Sequence, residues 1–388
     1  MTNNNRTIIE VHALQTTAPG NLNRDDTGSP KSVVYGGALR TRVSSQAWKR
    51  QTRLAFNELL DPKDLGLRTK RVVEVLRDKI LELDENADAE AAATVAETIF
   101  ANGAGIKLAA PRAKKDRENE DVERLQQPGY LLFIGNRQFE KLAEVGVKAL
   151  QEDDPVAAIK AEKKEIKKIV ADERAIDVAL FGRMVADDTD LNVDAAAQVA
   201  HAISVQEIEP ESDFFTAVDD VKNTAEDETD AGAAMLGDVE FNAATFYRYA
   251  NVDADRLRDT LGDTQATAEA VKAFVQAFVT SVPQGKINSF AHATLPELVY
   301  VTVRDSQAVN LIGAFERPVE PDYVEHATKA LVKREQEFER AYDVTPVKAW
   351  VVRIGEDTET ADALAENVSL SEALTDLAGV VSSRLDQE

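Results

Sequence analysis

The chain has 388 residues, 44% of them hydrophobic, no cysteine, and a formal net charge of −24. Its length allows about two or three packed units, and the missing cysteines exclude disulfides, thiolate zinc sites and a cysteine nucleophile, in keeping with a reducing cytoplasm. The acidic total excludes indiscriminate nucleic-acid binding through the overall field, and the lack of a signal-like opening or an apolar run of about 18 residues leaves neither secretion nor a membrane span expected.

Arg6 to Gln15 reads as a first strand. Around and after it, residues 1–53 gather eight basic side chains (Arg6, Arg24, Lys31, Arg40, Arg42, Lys49, Arg50 and Arg53) against three acidic ones (Glu10, Asp25 and Asp26), a local inversion of the chain's charge. Gly36-Gly37 marks a turn, after which Leu39, Thr41 and Val43 alternate with Arg40, Arg42 and Ser44. A side-chain period of two then predicts a strand apolar behind, with both arginines in front. Ser44 or Ser45 offers an N-cap hydroxyl for a helix that runs through Lys49 to Leu60 and stops at Asp61-Pro62, with Lys49 and Arg53 on one face. A capped helix start, with its free N–H groups, and these cations could converge on successive phosphates, without reading sequence. An ordinary solvated basic face fits the same residues equally well.

Residues 63 to about 180 are helical in composition, apart from a strand expected at Tyr130 to Ile134, and PRAKKDRENEDVERLQQPG (Pro111 to Gly129) reads as an exposed loop. Pro155 to Val170 is expected as one helix. It would place Lys160, Lys163, Lys164, Lys167 and Lys168 in an arc of about 140° opposite Ile159, Ile166, Ile169 and Val170, an apolar side that only Glu162 interrupts. Residues 181–240 hold GRM (Gly182 to Met184), AHAI (Ala200 to Ile203) and FTAVDD (Phe215 to Asp220), then a small, polar, acidic stretch around Glu226 to Asp230 that suits a projecting loop. The pair Phe214-Phe215 could stack on bases, although an aromatic pair is more often core.

Strands are expected at Val239 to Ala250, Glu297 to Arg304 and Val347 to Ile354, and helices at Thr267 to Val282 and Val324 to Tyr342. This is the alternation of an α+β, ferredoxin-like or RRM-like sheet, without the RNP aromatic signature. Ala361 to Leu385 is spaced as an amphipathic helix. No HExxH, GxSxG or GK[ST] phosphate loop occurs, and the four histidines (His12, His201, His292 and His326) are scattered. The one catalytic candidate is Asp25-Asp26, where an exposed acid beside Arg24 could assist attack on a phosphate with a metal; capping of a turn is the simpler role.

LNRDD (Leu22 to Asp26), GG (Gly36-Gly37), RVSSQ (Arg42 to Gln46), KR (Lys49-Arg50), GRM, AHAI, FTAVDD and FYRYAN (Phe246 to Asn251), in this order and spacing, resemble the CasC family. That family supplies the repeated backbone subunit of Cascade, the type I-E CRISPR surveillance complex of the RAMP superfamily. The resemblance implies an RRM-like palm (residues 1–60 and 241–388), a helical fingers insertion (61–180), and a web with a projecting thumb hairpin (181–240). It also implies a non-enzymatic, cytoplasmic subunit without cofactor or metal, engaged in antiviral defence. Its partners would be CRISPR RNA, target DNA, further copies stacked head to tail, and capping, small and large Cascade subunits. The guide would be held by Arg24, Lys31, Arg40, Arg42, Ser44, Gln46, Lys49, Arg50 and Arg53, and a nucleotide displaced by Met184, Phe214, Phe215 and Thr216. The lysine helix would lie near incoming DNA. The competing reading by related backbone chemistry is a metal-dependent ribonuclease using Asp25 or Asp26; a scaffold that self-associates without RNA is a third.

Overall fold

In the computed structural model, which describes residues 6–111, 125–172, 175–185, 188–217 and 235–387, the chain divides into two compact units. The acidic stretch Glu226 to Asp230, and most of the charged loop expected at Pro111 to Gly129, lie outside the described residues. The first unit comprises Met1–Ala55, Gln198–Asp253 and Val271–Glu388; the second comprises Phe56–Ala197 and Ala254–Ala270.

A mixed architecture of helices and an antiparallel sheet results. In the first unit the strands are β1 (Ile8–Gly20), β2 (Ser32–Tyr35), β3 (Ala38–Val43), β4 (Ala202–Ser204), β5 (Glu211–Ala217), β6 (Met235–Asp253), β7 (Leu298–Arg304) and β8 (Lys348–Arg353). They lie in the order β8-β7-β1-β6-β4-β3-β2, with every neighbouring pair antiparallel. β1 is central because its β-branched and apolar residues are buried on both faces, Ile8 to Leu14 without a break. Gly36 and Gly37 both take positive φ (59° and 80°), as a two-residue hairpin turn requires, and a Cβ on Gly36 would lie 1.5 Å from the carbonyl oxygen of Glu316.

β6 is one 19-residue strand with two jobs. Its C-terminal part pairs with β1 from Asn242 to Asp253, whereas its N-terminal part, Met235 to Phe241, pairs only with β5. The projecting hairpin is thus a continuation of the sheet.

Helix α1 (Ser45–Leu59), α2 (Thr264–Thr280), α3 (Tyr323–Tyr342) and α4 (Leu370–Leu385) accompany the sheet elements in sequence. On one face of the sheet His12, Tyr247, Tyr249 and Tyr300 form an aromatic group, covered by α3, whose Glu335 accepts from the Tyr300 hydroxyl (3.2 Å). A buried ionic knot completes this face: Arg304 bonds both Glu10 and Glu335, and Glu10 also accepts from Tyr249 (2.8 Å) and Thr302 (3.0 Å). On the other face Arg248 donates to Gln15 (2.6 Å), with its guanidinium 3.8 Å from the centre of the Trp48 ring and 4.5 Å from that of Phe278. Burial pulls Arg248 down to about 9. These aromatics are core.

The second unit packs helices Val72–Leu83, Ala89–Thr98 and Asn136–Leu150 around Leu76, Ile80, Phe100, Phe139 and Leu142, beside a short ribbon of Gly66–Thr69 and Leu132–Gly135. The expected long helix at Pro155 to Val170 is two helices, Pro155–Ala161 and Lys163–Ala171, broken at Glu162 (φ −81°, ψ 8°). Glu162 is the one residue that would have interrupted the apolar side. Breaking there leaves its carboxylate exposed while Ile159, Ile166, Ile169 and Val170 stay buried.

Candidate nucleic-acid interface

The LNRDD turn is held from several sides. Leu22 is buried in one cluster with Val43 and Trp48, and Asn21 donates to the carbonyls of Gly28 and Glu240, both at 2.9 Å. Asn23 accepts from the N–H of Ser44 (2.9 Å), so the turn fixes the place where α1 begins. Asp25 accepts from the N–H groups of Thr27 (2.9 Å) and Ser29 (3.0 Å) and from the Thr27 hydroxyl (2.7 Å); the hydroxyl bond, then the backbone donors, outweigh its slight desolvation and hold the carboxyl below its ordinary range. Asp25 therefore caps its own turn. Arg24, bridged through its backbone to Pro30, and Asp26 are left exposed.

β3 departs from the expected strand. Arg40 is not in front of the sheet; it is fully buried, donating to the carbonyls of Ser204 (2.9 Å), Val205 (2.8 Å) and Phe315 (3.0 Å). The opposite face is closed as well, since Thr41 is buried and accepts from Asn242 (2.9 Å). A strand between β2 and β4 is covered on both sides, and of its polar residues only Arg42, near its end, keeps its side chain half-exposed. The period placed the two arginines on one face but carried no information about where that face is covered.

α1 follows the expectation closely. Ser44 caps it, accepting from the N–H of Ala47 (3.3 Å). Trp48, Gln51 and Thr52 point inward and are buried, whereas Gln46, Lys49, Arg50 and Arg53, spaced i, i+3, i+4 and i+7, form the outward stripe; Gln46 and Arg50 are exposed, Lys49 and Arg53 half-buried. Partial burial lowers the Lys49 pKa, so this ammonium gains from an arriving anion. Arg24, Lys31, Arg42, Ser44, Gln46, Lys49, Arg50 and Arg53 thus belong to one continuous turn, strand end and helix start in the first unit.

Two features escaped the sequence. His201, in the AHAI stretch just before β4, accepts from Arg42 Nη1 at Nδ1 (3.0 Å). Arg42 lies opposite Ile203 in the register, which is how the histidine comes beside it. The second is the segment after α2: a Cβ on Gly285 would lie 2.4 Å from the Leu22 carbonyl oxygen, so this stretch packs on the LNRDD turn and brings half-exposed Lys286 (φ 50°) beside it. A Gly-Lys pair with no periodicity around it gives no signal of that kind.

The remaining candidates occupy other surfaces. In the first unit Phe214 is 61% and Phe215 37% exposed on β5, the Phe215 ring lying over Gly237 across the hairpin, where any Cβ would come within 2.7 Å of it. Thr216 joins the same ladder through its backbone, opposite Leu236. In the second unit GRM is a turn with a purpose for each residue. Gly182 takes φ 78°, and Arg183 is buried, donating to the carbonyls of Leu191 (2.7 Å) and Val170 (2.9 Å). Met184 is then 80% exposed. Lys160, Lys163, Lys164 and Lys168 are exposed on two short helices instead of one arc, and Lys167 pairs with Asp188 (2.9 Å). Among the described residues no three His, Asp or Glu side chains gather as metal ligands, and no helix is long and apolar enough to cross a membrane.

Comparison with known proteins agrees with the motif resemblance. The chain is similar to a subunit of a solved "CRISPR RNA-guided surveillance complex, pre-nicking", at 31% identity and a TM-score of 0.80 over 96% of this chain and 100% of the other. It is also similar to a subunit of a "CRISPR RNA-guided surveillance complex" at 27% identity and a TM-score of 0.70, covering 95% and 100% respectively. No curated protein matches it by sequence. The model of the CT1975-like protein family matches residues 9–376, nearly the whole chain, and this protein belongs to that family.

Proposed function

We propose that this protein is the guide-holding backbone subunit of a type I-E Cascade, binding CRISPR RNA without cleaving it and presenting it for pairing with target DNA in antiviral defence. The observation that carries this reading is the stripe of exposed and half-exposed cations Arg24, Lys31, Arg42, Lys49, Arg50 and Arg53, with Gln46 among them, in a chain of net −24. Support comes from its likeness to subunits of RNA-guided surveillance complexes. Phosphates would be held by this stripe and by the N–H groups at the Ser44 cap, and base edges would stay free for pairing. Arg40 has no part in that contact.

On this reading the first unit holds an RRM-like palm, and the second the fingers. The β5–β6 hairpin is the thumb that crosses the guide of the next copy, with Phe214, Phe215 and Thr216 at the displaced nucleotide. Copies then stack head to tail, a heterologous contact that leaves an open filament for other subunits to cap in the cytoplasm. Asp25 orders the turn that carries Arg24, and no cleavage chemistry is assigned to it or to Asp26.

The test is to purify a tagged copy from cells that carry its own locus and to sequence the nucleic acid that comes with it. A discrete repeat–spacer RNA together with partner subunits is the expected result. Assemblies that survive nuclease with no RNA would favour a self-associating scaffold. Magnesium-dependent cleavage lost in Asp26→Ala would favour a ribonuclease.

A further inference from the structure

His201 is exposed, lies outside the cationic stripe in sequence, and has no part in the reading above. A guanidinium has only donors, so the 3.0 Å contact between Arg42 Nη1 and His201 Nδ1 fixes the ring state: Nδ1 is the acceptor, and the neutral ring carries its proton on Nε2. Partial burial, then the positive charges of Arg42 and Lys31, lower the His201 pKa and favour that neutral form. A flexible cation on the surface normally samples many rotamers and loses that freedom on binding. Here Nη1 is tied down by His201 and Nε reaches the carbonyl of Ser32 (3.5 Å), so the guanidinium is held at two nitrogens and Nη2 is left to meet an anion.

We infer that His201 is a positioning residue for guide binding, holding the Arg42 guanidinium in the orientation that meets a backbone phosphate of the RNA. The inference rests on the proposed guide-binding role of the patch. His201 contributes orientation and no charge. Arg42 supplies the charge, and Lys31 flanks the same phosphate position. Because the histidine acts through Arg42, its removal should matter only while Arg42 is present.

The experiment is a double-mutant cycle on the full-length protein, with fluorescein-labelled single-stranded RNA of mixed sequence as probe over a series of salt concentrations. Arg42→Ala should weaken binding and lower the salt slope by about one. His201→Ala should weaken binding about fivefold with the salt slope unchanged, and should have no further effect in the Arg42→Ala background. His201→Gln, which keeps a neutral acceptor, should recover most of the affinity; a merely structural role would not be rescued this way, and equal melting temperatures for all variants check that the fold is intact. An unaltered affinity in His201→Ala, or an equal loss with and without Arg42, overturns the positioning role and leaves guide binding standing. An unaltered affinity in Arg42→Ala overturns the phosphate patch itself, and the positioning role with it.

Discussion

Arg40 and Arg42 show how far residue type alone can mislead. They lie two apart on one strand, yet one is a core clamp for three carbonyls and the other is a surface cation. Arg40→Met should therefore cost about 2–4 kcal/mol in denaturant unfolding by stranding those carbonyls, whereas Lys49→Ala combined with Arg42→Ala should leave stability within about 0.5 kcal/mol and weaken RNA loading with a flatter salt dependence. The knot around Glu10 makes a second prediction, in pH. Burial is the largest single influence on this carboxyl and raises its pKa, but His12 and Arg304 together outweigh it and bring the value from 4.5 to about 2. A folded-state pKa below the unfolded one means stability that is fully present above about pH 4.5 and lost as the pH falls through about 2, here about 3 kcal/mol. Unfolding free energies measured across that window should slope upward with pH, and Glu10→Gln should flatten the slope while lowering stability at neutral pH.

At the scale of elements, the LNRDD turn, β3 and α1 act as one device, since Asn23 accepts from the Ser44 N–H, Ser44 in turn caps α1, and Trp48 anchors the helix beneath Arg248. Gly182→Ala should destabilise the second unit by about 1–3 kcal/mol, because φ is 78° there and the new methyl would approach the Val193 carbonyl oxygen to 2.9 Å; a lowered melting temperature measures it. Most of these elements were legible beforehand. β1, α1, α3 and β7 came within a few residues of their expected limits, because their apolar periods are long and their stops (Asp61-Pro62 above all) are chemically plain. What stayed hidden depended on partners distant in sequence. Arg40's burial needs Ser204 and Phe315, the Arg42 contact needs His201, and the seat of Lys286 needs the carbonyls of Asn21 and Leu22. The break at Glu162 was half legible, since the same residue was the flaw in the apolar face. It also alters what to expect of the lysines: if they lie near incoming DNA, as the family resemblance implies, Lys163→Glu with Lys164→Glu should weaken target-duplex binding in a gel-shift assay and spare RNA loading, and Lys167→Ala should do less, its charge being already paired with Asp188.

For the whole molecule, the distribution of charge sets what it can assemble with. On the proposed reading the cationic stripes hold copies of net charge −24 along one RNA, so nuclease treatment of purified assemblies should release single subunits, a change that sizing by light scattering would show. How far each copy can reach depends on β6. That strand runs unbroken from the middle of the sheet into the free hairpin, about 60 Å if fully extended, with no joint between Phe241, the last residue paired to β5, and Asn242, the first paired to β1. Such a strand has parity. One residue inserted between those two positions would leave the sheet's pairing intact and turn over every side chain beyond it, sending the face that carries Phe214 to the opposite side unless a bulge absorbed the extra residue. Without such a bulge, the span of the projection lengthens or shortens in steps of two residues, about 7 Å at a time.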